Sequence, residues 1–186
     1  MKINANNIRT GMVLEHEGRL WRVAKTMHTQ PGKGGAYMQV EMKDIVSGTK
    51  TNIRYRSAET VEKAEMAQKQ MMFLYRDGES LNIMDNETYE QIIVDADLAG
   101  DQVKWLQENM MVEVEMHEST PIGITLPASI EVGIIEADAA IKGQTANNSF
   151  KNAKADNGEA IMVPAFVNAG DRIRINTEDG SYIERA

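Results

Sequence analysis

The chain has 186 residues, of which 42% belong to the apolar set AVILMFWYC and 26% are charged, and its net charge is −8. This composition supports hydrophobic cores and excludes a disordered tail or a fibre. Cysteine is absent, which excludes disulfides, thiolate metal sites and cysteine nucleophiles and is typical of a reducing compartment. The N-terminus lacks the apolar run of a secretion signal, and no stretch reaches the roughly 20 apolar residues of a membrane span. We therefore expect a soluble, cytoplasmic protein with no membrane partner.

Apolar and polar residues alternate with period two along most of the chain. In residues 37–43, Met38, Val40 and Met42 share one face and polar residues share the other, which predicts a half-buried strand. Nine other short runs have the same character: 19–27, 51–55, 71–75, 81–84, 89–94, 111–116, 130–135, 159–163 and 172–176. Glycine-containing turn signals separate these runs, and such regular spacing is typical of small barrels or sandwiches.

Helical periodicity is confined to one segment, residues 97–108. Leu98, Val103 and Leu106, with Trp105 beside them, can form an apolar stripe, although Gly100 weakens a helix at this point. We expect one short helix there.

Two boundaries divide the chain. One lies near residue 128, after Pro127, where one strand pattern ends and another starts, and the other lies near residue 64, where the charge balance changes sign. The prediction is three β domains, 1–64, 65–128 and 129–186, each the size of an SH3-like or OB barrel.

The three predicted domains differ strongly in charge. The first has 11 Lys and Arg against 6 Asp and Glu, a net of +5; the middle has 3 against 13, a net of −10; the last has 6 against 9, a net of −3. A basic first domain can approach a polyanion while the acidic remainder stays away from it. An acidic segment that merely solubilises the protein also explains the middle domain.

The sequence lacks the common catalytic and metal-binding motifs. His16 and His117 each precede a glutamate but lack the second histidine of a zinc helix, and residues 95–106 end in leucine where a calcium loop needs glutamate. A nucleophile elbow is absent. We expect a protein that is not an enzyme and holds no metal or other cofactor. A hydrolase or transferase with a scattered Ser/His/Asp site is the alternative.

One stretch is unusual: Pro31, Gly32, Lys33, Gly34 and Gly35 stand between two strand patterns. The spacing does not match a phosphate-binding P-loop. Three glycines let the backbone enter a narrow space and leave the lysine free to project. An ordinary exposed hairpin tip also fits these residues.

Cations alternate along the strands on both sides of this stretch, and together they predict an RNA-facing surface. They are Arg19, Arg22, Lys25, Lys43, Lys50, Arg54 and Arg56.

Three features resemble a known family. Pro31-Gly32-Lys33-Gly34 lies about thirty residues from the start of a basic β unit, and the sequence Lys-Gly-Gln-Thr-Ala at residues 142–146 follows Ile-Ile-Glu-Ala-Asp at 134–138. A C-terminal signature with fixed spacing is met at Lys151, Ala153, Gly158, Ile161, Val163, Pro164, Val167 and Gly170. In these features the sequence resembles the bacterial elongation factor P family over its full length, and less closely the archaeal and eukaryotic initiation factor five-A.

The resemblance implies an all-β fold with three small barrels, an N-terminal SH3-like (KOW-type) domain followed by two OB folds. It implies a monomeric translation factor that binds the ribosome between the peptidyl-tRNA and exit-tRNA sites and stimulates peptide-bond formation at consecutive prolines. Lys33 would lie beside the CCA end of the peptidyl-tRNA and act by positioning alone. In many relatives a modifying enzyme extends this lysine, for example by β-lysylation, whereas other branches use arginine or an unmodified side chain.

The resemblance also implies RNA contacts in the third domain, at Lys142, Gly143, Gln144, Thr145, Tyr182 and Arg185. The loop reads Gly-Gln-Thr where many members have Gly-Asp-Thr, and the amide can still hydrogen-bond to bases of messenger RNA in the exit site. For Tyr182, a structural role as an aromatic residue that closes the barrel is as consistent with the sequence as a direct RNA contact.

A general single-stranded RNA binder built on OB folds is the second functional hypothesis. Only 5% of the residues are aromatic, and the acidic middle domain interrupts any continuous cationic groove, so stacking platforms for bases are few. Co-sedimentation with ribosomes, compared with a gel shift on bare RNA, distinguishes the two hypotheses.

Overall fold

Strands form three sheets within residues 1–140 and 149–186, which the computed structural model describes. The first sheet contains β1 (Lys2–Asn4), β2 (Val13–His16), β3 (Arg19–Thr29), β4 (Tyr37–Asp44), β5 (Lys50–Arg56) and β6 (Thr60–Lys63), and a 3₁₀ helix covers Ala5–Asn7. Its strand order is β1-β6-β2-β3-β4-β5.

The second sheet has five strands in the order β11-β10-β7-β8-β9. They are β7 (Ala67–Asp77), β8 (Ser80–Asp85), β9 (Gln91–Asp95), β10 (Met111–His117) and β11 (Thr120–Thr125), with a 3₁₀ segment at Ala96–Trp105. The third sheet, in the order β14-β13-β12-β15-β16, contains β12 (Ser129–Ala137), β13 (Phe150–Ala155), β14 (Ala160–Pro164), β15 (Arg172–Asn176) and β16 (Tyr182–Arg185).

The alternation in the sequence locates ten of the sixteen described strands. All ten predicted runs overlap strands, and Met38, Val40 and Met42 are buried as expected. The all-β prediction is therefore confirmed. The sheets themselves run from residue 2 to 63, from 67 to 125 and from 129 to 185; the domain boundaries at 64 and 128 stay predictions.

The predicted helix at residues 97–108 is wrong in type. The chain instead forms two short 3₁₀ turns within Ala96–Trp105, interrupted at Gly100, whose φ of 58° and ψ of −142° are not helical. The buried side chains are those of Ala96, Ala99 and Trp105, not the expected Leu98, Val103 and Leu106. A break in the middle shifts which side chains share a face, so the stripe expected for a regular helix does not form.

Contacts divide the described chain into two compact units, residues 1–67 with 116–122 and residues 68–115 with 123–186. The first unit has a core drawn from strands and from the first 3₁₀ helix. It consists of Ala5, Ile8, Leu14, Trp21, Val23, Met38, Val40, Met42, Tyr55 and Val61. Because this core backs β3 and β4, the loop between those strands rests on a rigid support.

In the second unit Trp105 joins the second and third sheets. Its side chain is buried, and a Cβ placed on Gly180 would lie only 2.9 Å from its Cζ2 atom. Next to it, the side-chain amide of Asn157 donates a hydrogen bond to the carbonyl oxygen of Lys104 at 2.7 Å. Trp105 therefore packs against the backbone at a point where only glycine fits.

One turn recurs in all three sheets, at residues 44–48, 85–89 and 176–180. In each, the side chain of the first residue accepts a hydrogen bond from the N–H two residues later, at 2.7–2.8 Å. The N–H of the fifth residue donates to the carbonyl of the first, at 2.8–3.0 Å. The fifth residue has a left-handed backbone and is Gly48, Tyr89 or Gly180, with φ of 74°, 60° and 72°. Such Asx turns close hairpins.

Among the described residues, no helix combines the length and apolar character that a membrane crossing requires.

Candidate functional site

The loop at residues 30–36 joins β3 to β4 and is anchored at its base. Thr29 pairs with Tyr37 across the two strands, and the N–H of Ser57 donates to the carbonyl of Ala36 at 3.0 Å. At the tip, the N–H of Gly34 donates to the carbonyl of Pro31 at 3.2 Å. This bond closes a tight turn with Lys33 inside it.

Lys33 projects from this turn into solvent. Its side chain is exposed, and within residues 1–140 and 149–186 it has no hydrogen bond or ion pair. An exposed lysine without a partner leaves its three N–H donors available to an external group. The described structure thus places Lys33 in solvent at the tip of the loop.

The glycines around Lys33 are not required by the fold of the loop. Gly32, Gly34 and Gly35 lack the positive φ that L side chains avoid. A Cβ on Gly32 or Gly35 would meet nothing within 4 Å, and one on Gly34 would touch only Pro31, at 3.4 Å. Alanine therefore fits at all three positions within the chain.

Six cations share the outward face of β3, β4 and β5, which we call the cationic face. Their neighbours in sequence, including Trp21, Val23 and Met42, point into the core, and the strand register aligns them side by side: Lys43 pairs with Lys50. The members are Arg22, Lys25, Lys43, Lys50, Arg54 and Arg56. The period-two pattern accounts for the cations of β4 and β5, whereas Arg22 and Lys25 share the face only because the pairing of β3 with β4 shifts between Val23 and Lys25.

Arg19, the seventh predicted cation, does not belong to this face. Its guanidinium donates to the buried carboxylate of Asp44 at 3.2 Å. Backbone N–H groups of Ser47 and Val46, together with Arg19, hold the pKa of Asp44 below its ordinary value. Arg19 thus compensates a buried charge. The sequence missed this because Asp44 lies on a different strand.

Five members of the cationic face differ from Arg19 in their ion pairing. Lys25, Lys43, Lys50, Arg54 and Arg56 form no ion pair with an acidic side chain in the described part of the chain. Glu41 lies on the same face opposite Lys25, so the face carries a clear excess of positive charge, and such an excess attracts a phosphate backbone.

Tyr37 is a member of this site that the sequence did not reveal. The guanidinium carbon of Arg54 lies 4.3 Å from the centre of the Tyr37 ring, a cation–π contact. In the strand register Arg54 pairs with Gln39, and Tyr37 pairs with Arg56. The contact therefore runs diagonally between β4 and β5, and only the register of the two strands reveals it.

The third sheet keeps its arginines in local ion pairs. Arg185 lies 3.3 Å from Asp171 and 5.2 Å above the ring of Phe166, and Arg174 lies 3.3 Å from both Glu131 and Glu184. Asp171 has a lowered pKa because the N–H of Asn168, and then Arg185, stabilise its anion.

Tyr182 is half-buried and pairs with Ile175. The other predicted contacts of this domain lie outside the described residues: Lys142, Gly143, Gln144 and Thr145.

The three histidines occupy separate places. His117 lies 3.5 Å from Glu15, His16 lies 3.8 Å from Glu17, and the Nε2 atom of His28 is 3.4 Å from the Ser57 hydroxyl. In the described ranges, no group of three or more His, Asp or Glu side chains is arranged to hold a metal ion.

Comparison with known protein families covers nearly the whole chain. Residues 4–61 match the "Elongation factor P (EF-P) KOW-like domain", residues 66–124 the "Elongation factor P (EF-P) OB domain" and residues 130–185 "Elongation factor P, C-terminal". The predicted fold class, a KOW-type barrel followed by OB folds, is confirmed by these matches.

Individual relatives agree. The chain is 53% identical to elongation factor P of Zymomonas mobilis and 52% identical to that of Brucella suis, each over 186 residues and the whole length of both chains. Among solved structures, translation initiation factor 5A from Methanococcus jannaschii aligns with a TM-score of 0.55 at 21% identity, covering 68% of this chain and 94% of that one. This last match shows a shared fold. From the family matches and the full-length relatives together, the chain belongs to the elongation factor P family of translation elongation factors.

Proposed function

We propose that this protein binds the ribosome between the peptidyl-tRNA and exit-tRNA sites and stimulates peptide-bond formation where synthesis stalls at consecutive prolines. Lys33 then lies beside the CCA end of the peptidyl-tRNA. Because proline is a poor nucleophile with a rigid ring, ordering the reacting tRNA end lowers the barrier without any bond being made or broken by the protein. In this proposal the protein is not an enzyme and needs no cofactor.

The observation that carries the proposal is the chemistry of the loop. Lys33 is exposed and has no partner in the described structure, and three glycines that the loop itself does not require surround it. A loop selected only for its own stability would carry residues other than glycine at these positions, because glycine loses the most conformational entropy on folding. A narrow loop with one projecting cation is suited to a confined, negatively charged space.

The distribution of unpaired cations supports this function over the second hypothesis of general single-stranded RNA binding. The first sheet carries five cations without an ion pair on one face, whereas the arginines of the third sheet are engaged with carboxylates and Lys151 and Lys154 are its described cations without an ion pair. A general binder built on OB folds needs an available cationic groove on those folds. Available cations that are concentrated on the first sheet fit a factor that contacts RNA at one defined site.

A translation assay tests the role of Lys33. We expect Lys33→Ala to lose relief of stalling on a message with consecutive prolines, with unchanged synthesis from a proline-poor message and an unchanged melting temperature. The matched control is Lys154→Ala, which removes an equal charge from an exposed position on β13, outside the cationic face, and should retain most of the relief. Full activity of Lys33→Ala would refute the proposal.

A salt titration tests the orientation of the protein. Neutralising Arg54 and Arg56 with glutamine should weaken binding to ribosomes that carry peptidyl-tRNA and flatten its dependence on salt. The control changes Glu113 and Glu115 to glutamine, and this should leave affinity unchanged or slightly raised. If the acidic pair proves more damaging than the basic pair, the first domain does not face the RNA.

We also propose that a modifying enzyme extends Lys33, for example by β-lysylation, which would carry its charge further from the loop. Intact-mass measurement and peptide mapping of the protein from its native host test this. An added mass on the peptide that contains Lys33 supports the proposal, and an unmodified peptide contradicts it.

A further inference from the structure

We propose that Tyr37 is a positioning residue for RNA binding: its ring holds the guanidinium of Arg54 at the base of the Lys33 loop, ready for a backbone phosphate. This inference rests on the proposed function, and it adds a residue and a mechanism to it. The ligand is the ribose-phosphate backbone of RNA next to the end that Lys33 approaches.

The first step is the place of Tyr37 in the chain. It is the first residue of β4, immediately after the loop, and it pairs with Thr29 on one side and Arg56 on the other. Its backbone is therefore fixed by two neighbouring strands, and its half-buried ring lies on the outward face. An aromatic side chain in this position has few rotamers, so it is a firm support.

The second step is the state of Arg54. Its side chain is exposed, it forms no ion pair in the described structure, and its guanidinium carbon lies 4.3 Å from the centre of the Tyr37 ring. An exposed arginine without a contact samples many rotamers, and ordering it on binding costs free energy. The Tyr37 ring removes part of that cost in advance.

The third step compares two ways of holding an arginine. Arg19 is held by the carboxylate of Asp44, which fixes it and also neutralises its charge. The ring of Tyr37 holds Arg54 and leaves its charge and its donors available for a phosphate. Of the two arrangements, only the second leaves a cation available to RNA.

The experiment measures binding to ribosomes that carry peptidyl-tRNA at several salt concentrations. Tyr37→Leu removes the ring, Tyr37→Phe keeps it and removes the hydroxyl, and Arg54→Gln removes the charge. Because the number of phosphate contacts stays the same, Tyr37→Leu should weaken binding by about five-fold with an unchanged salt slope. Arg54→Gln should weaken binding and reduce the slope by about 0.7–0.9. Tyr37→Phe should match the wild type.

The double variant Tyr37→Leu with Arg54→Gln should bind no more weakly than Arg54→Gln alone, since the ring acts through the guanidinium. A second variant, Arg54→Lys, keeps the charge and loses the planar stack, so it should resemble Tyr37→Leu even if that variant folds poorly. In the free protein, the relaxation of the Arg54 Nε–H group should show more motion in Tyr37→Leu than in Tyr37→Phe.

Three results would overturn the inference: wild-type affinity of Tyr37→Leu, additive losses in the double variant, or a Tyr37→Phe loss equal to that of Tyr37→Leu. Wild-type protein that does not bind these ribosomes would instead refute the proposed function, and the inference with it. Binding by the wild type together with unaffected Tyr37 variants refutes the inference alone.

Discussion

Replacing the three loop glycines by alanine should make the protein more stable and less active. Gly32, Gly34 and Gly35 lack a left-handed backbone, and the added methyl groups meet at most a Pro31 carbon at 3.4 Å, an ordinary contact. Gly→Ala at a compatible position stabilises by roughly 0.4–1 kcal/mol because the unfolded chain loses freedom. The triple variant should therefore gain roughly 1–3 kcal/mol in the free energy of unfolding.

The control lies in the same sheet. Gly48 has φ of 74°, so Gly48→Ala forces a left-handed conformation on an L side chain and should lose roughly 1–2 kcal/mol. A loss at Gly48 beside a gain in the loop would show that the two kinds of glycine differ as the backbone angles indicate.

The assay follows each unit of the chain separately. The protein has two tryptophans, and both are buried: Trp21 in the first unit and Trp105 in the second. Fluorotryptophan labelling gives each an ¹⁹F signal, so urea unfolding of the first unit is read from Trp21. Relief of consecutive-proline stalling is measured in parallel.

The expected pattern is higher stability with weaker relief, because three methyl groups thicken and stiffen the loop that, in the proposed function, approaches RNA closely. A less stable triple variant would contradict the loop conformation. A more stable and fully active variant would show that a thin backbone is not what function requires.

Three other changes test the turns and the packing described above. Gly180→Ala should cost about 2–4 kcal/mol in the unfolding of the second unit, since φ is 72° and the new Cβ would lie 2.9 Å from a Trp105 ring atom; wild-type stability in the Trp105 signal would contradict this. Tyr89→Gly should raise stability by up to about 1 kcal/mol in urea unfolding, because Tyr89 is exposed and has φ of 60°. Asp85 has its pKa lowered to about 2 by the bond to Lys69 and by backbone N–H groups, so its carboxylate stabilises the fold above about pH 4, and this contribution is lost as pH falls towards 2. Asp85→Asn should flatten the acid side of the stability profile in that window, and a profile unchanged from wild type would contradict the assignment.

Strands with a full alternation were predictable from sequence because burial on one side imposes that pattern. Met38, Val40 and Met42 are large and apolar, and all three are buried in the first core. β13 escaped prediction because its buried residues are Ala153 and Ala155, which are too small to give a hydrophobic signal.

The 3₁₀ segment at Ala96–Trp105 shows a different limit of prediction from sequence. The apolar spacing at residues 97–108 fits a helix, but the non-helical backbone at Gly100 interrupts it. Local periodicity does not report a break of this kind, because the residues on either side still look helical by composition.

For the site, the sequence predicted that cations of β3, β4 and β5 group together, but not which of them share a face or are available. The sequence does not distinguish Arg19 and Arg185 from Arg54. In the structure, however, the carboxylates of Asp44 and Asp171 form ion pairs with the first two. Those partners come from neighbouring strands or loops, so only the strand register reveals them. The contact of Arg54 with Tyr37 required the same information.

The irregularity in β3 sets how the cationic face is spaced. Arg22 pairs with Lys43 and Val23 with Met42, but the next partner, Glu41, belongs to Lys25, so Ala24 is left without an opposite residue. In a regular strand, residues three apart point in opposite directions; one unmatched residue makes them point the same way. Deleting Ala24 would thus send Lys25 towards the core and shift the phase of every residue up to the Lys33 loop, although no charge had been removed. A single alanine, with no polar atom in its side chain, decides whether Arg22 in the first half of this strand and Lys25 in its second half lie on the same face.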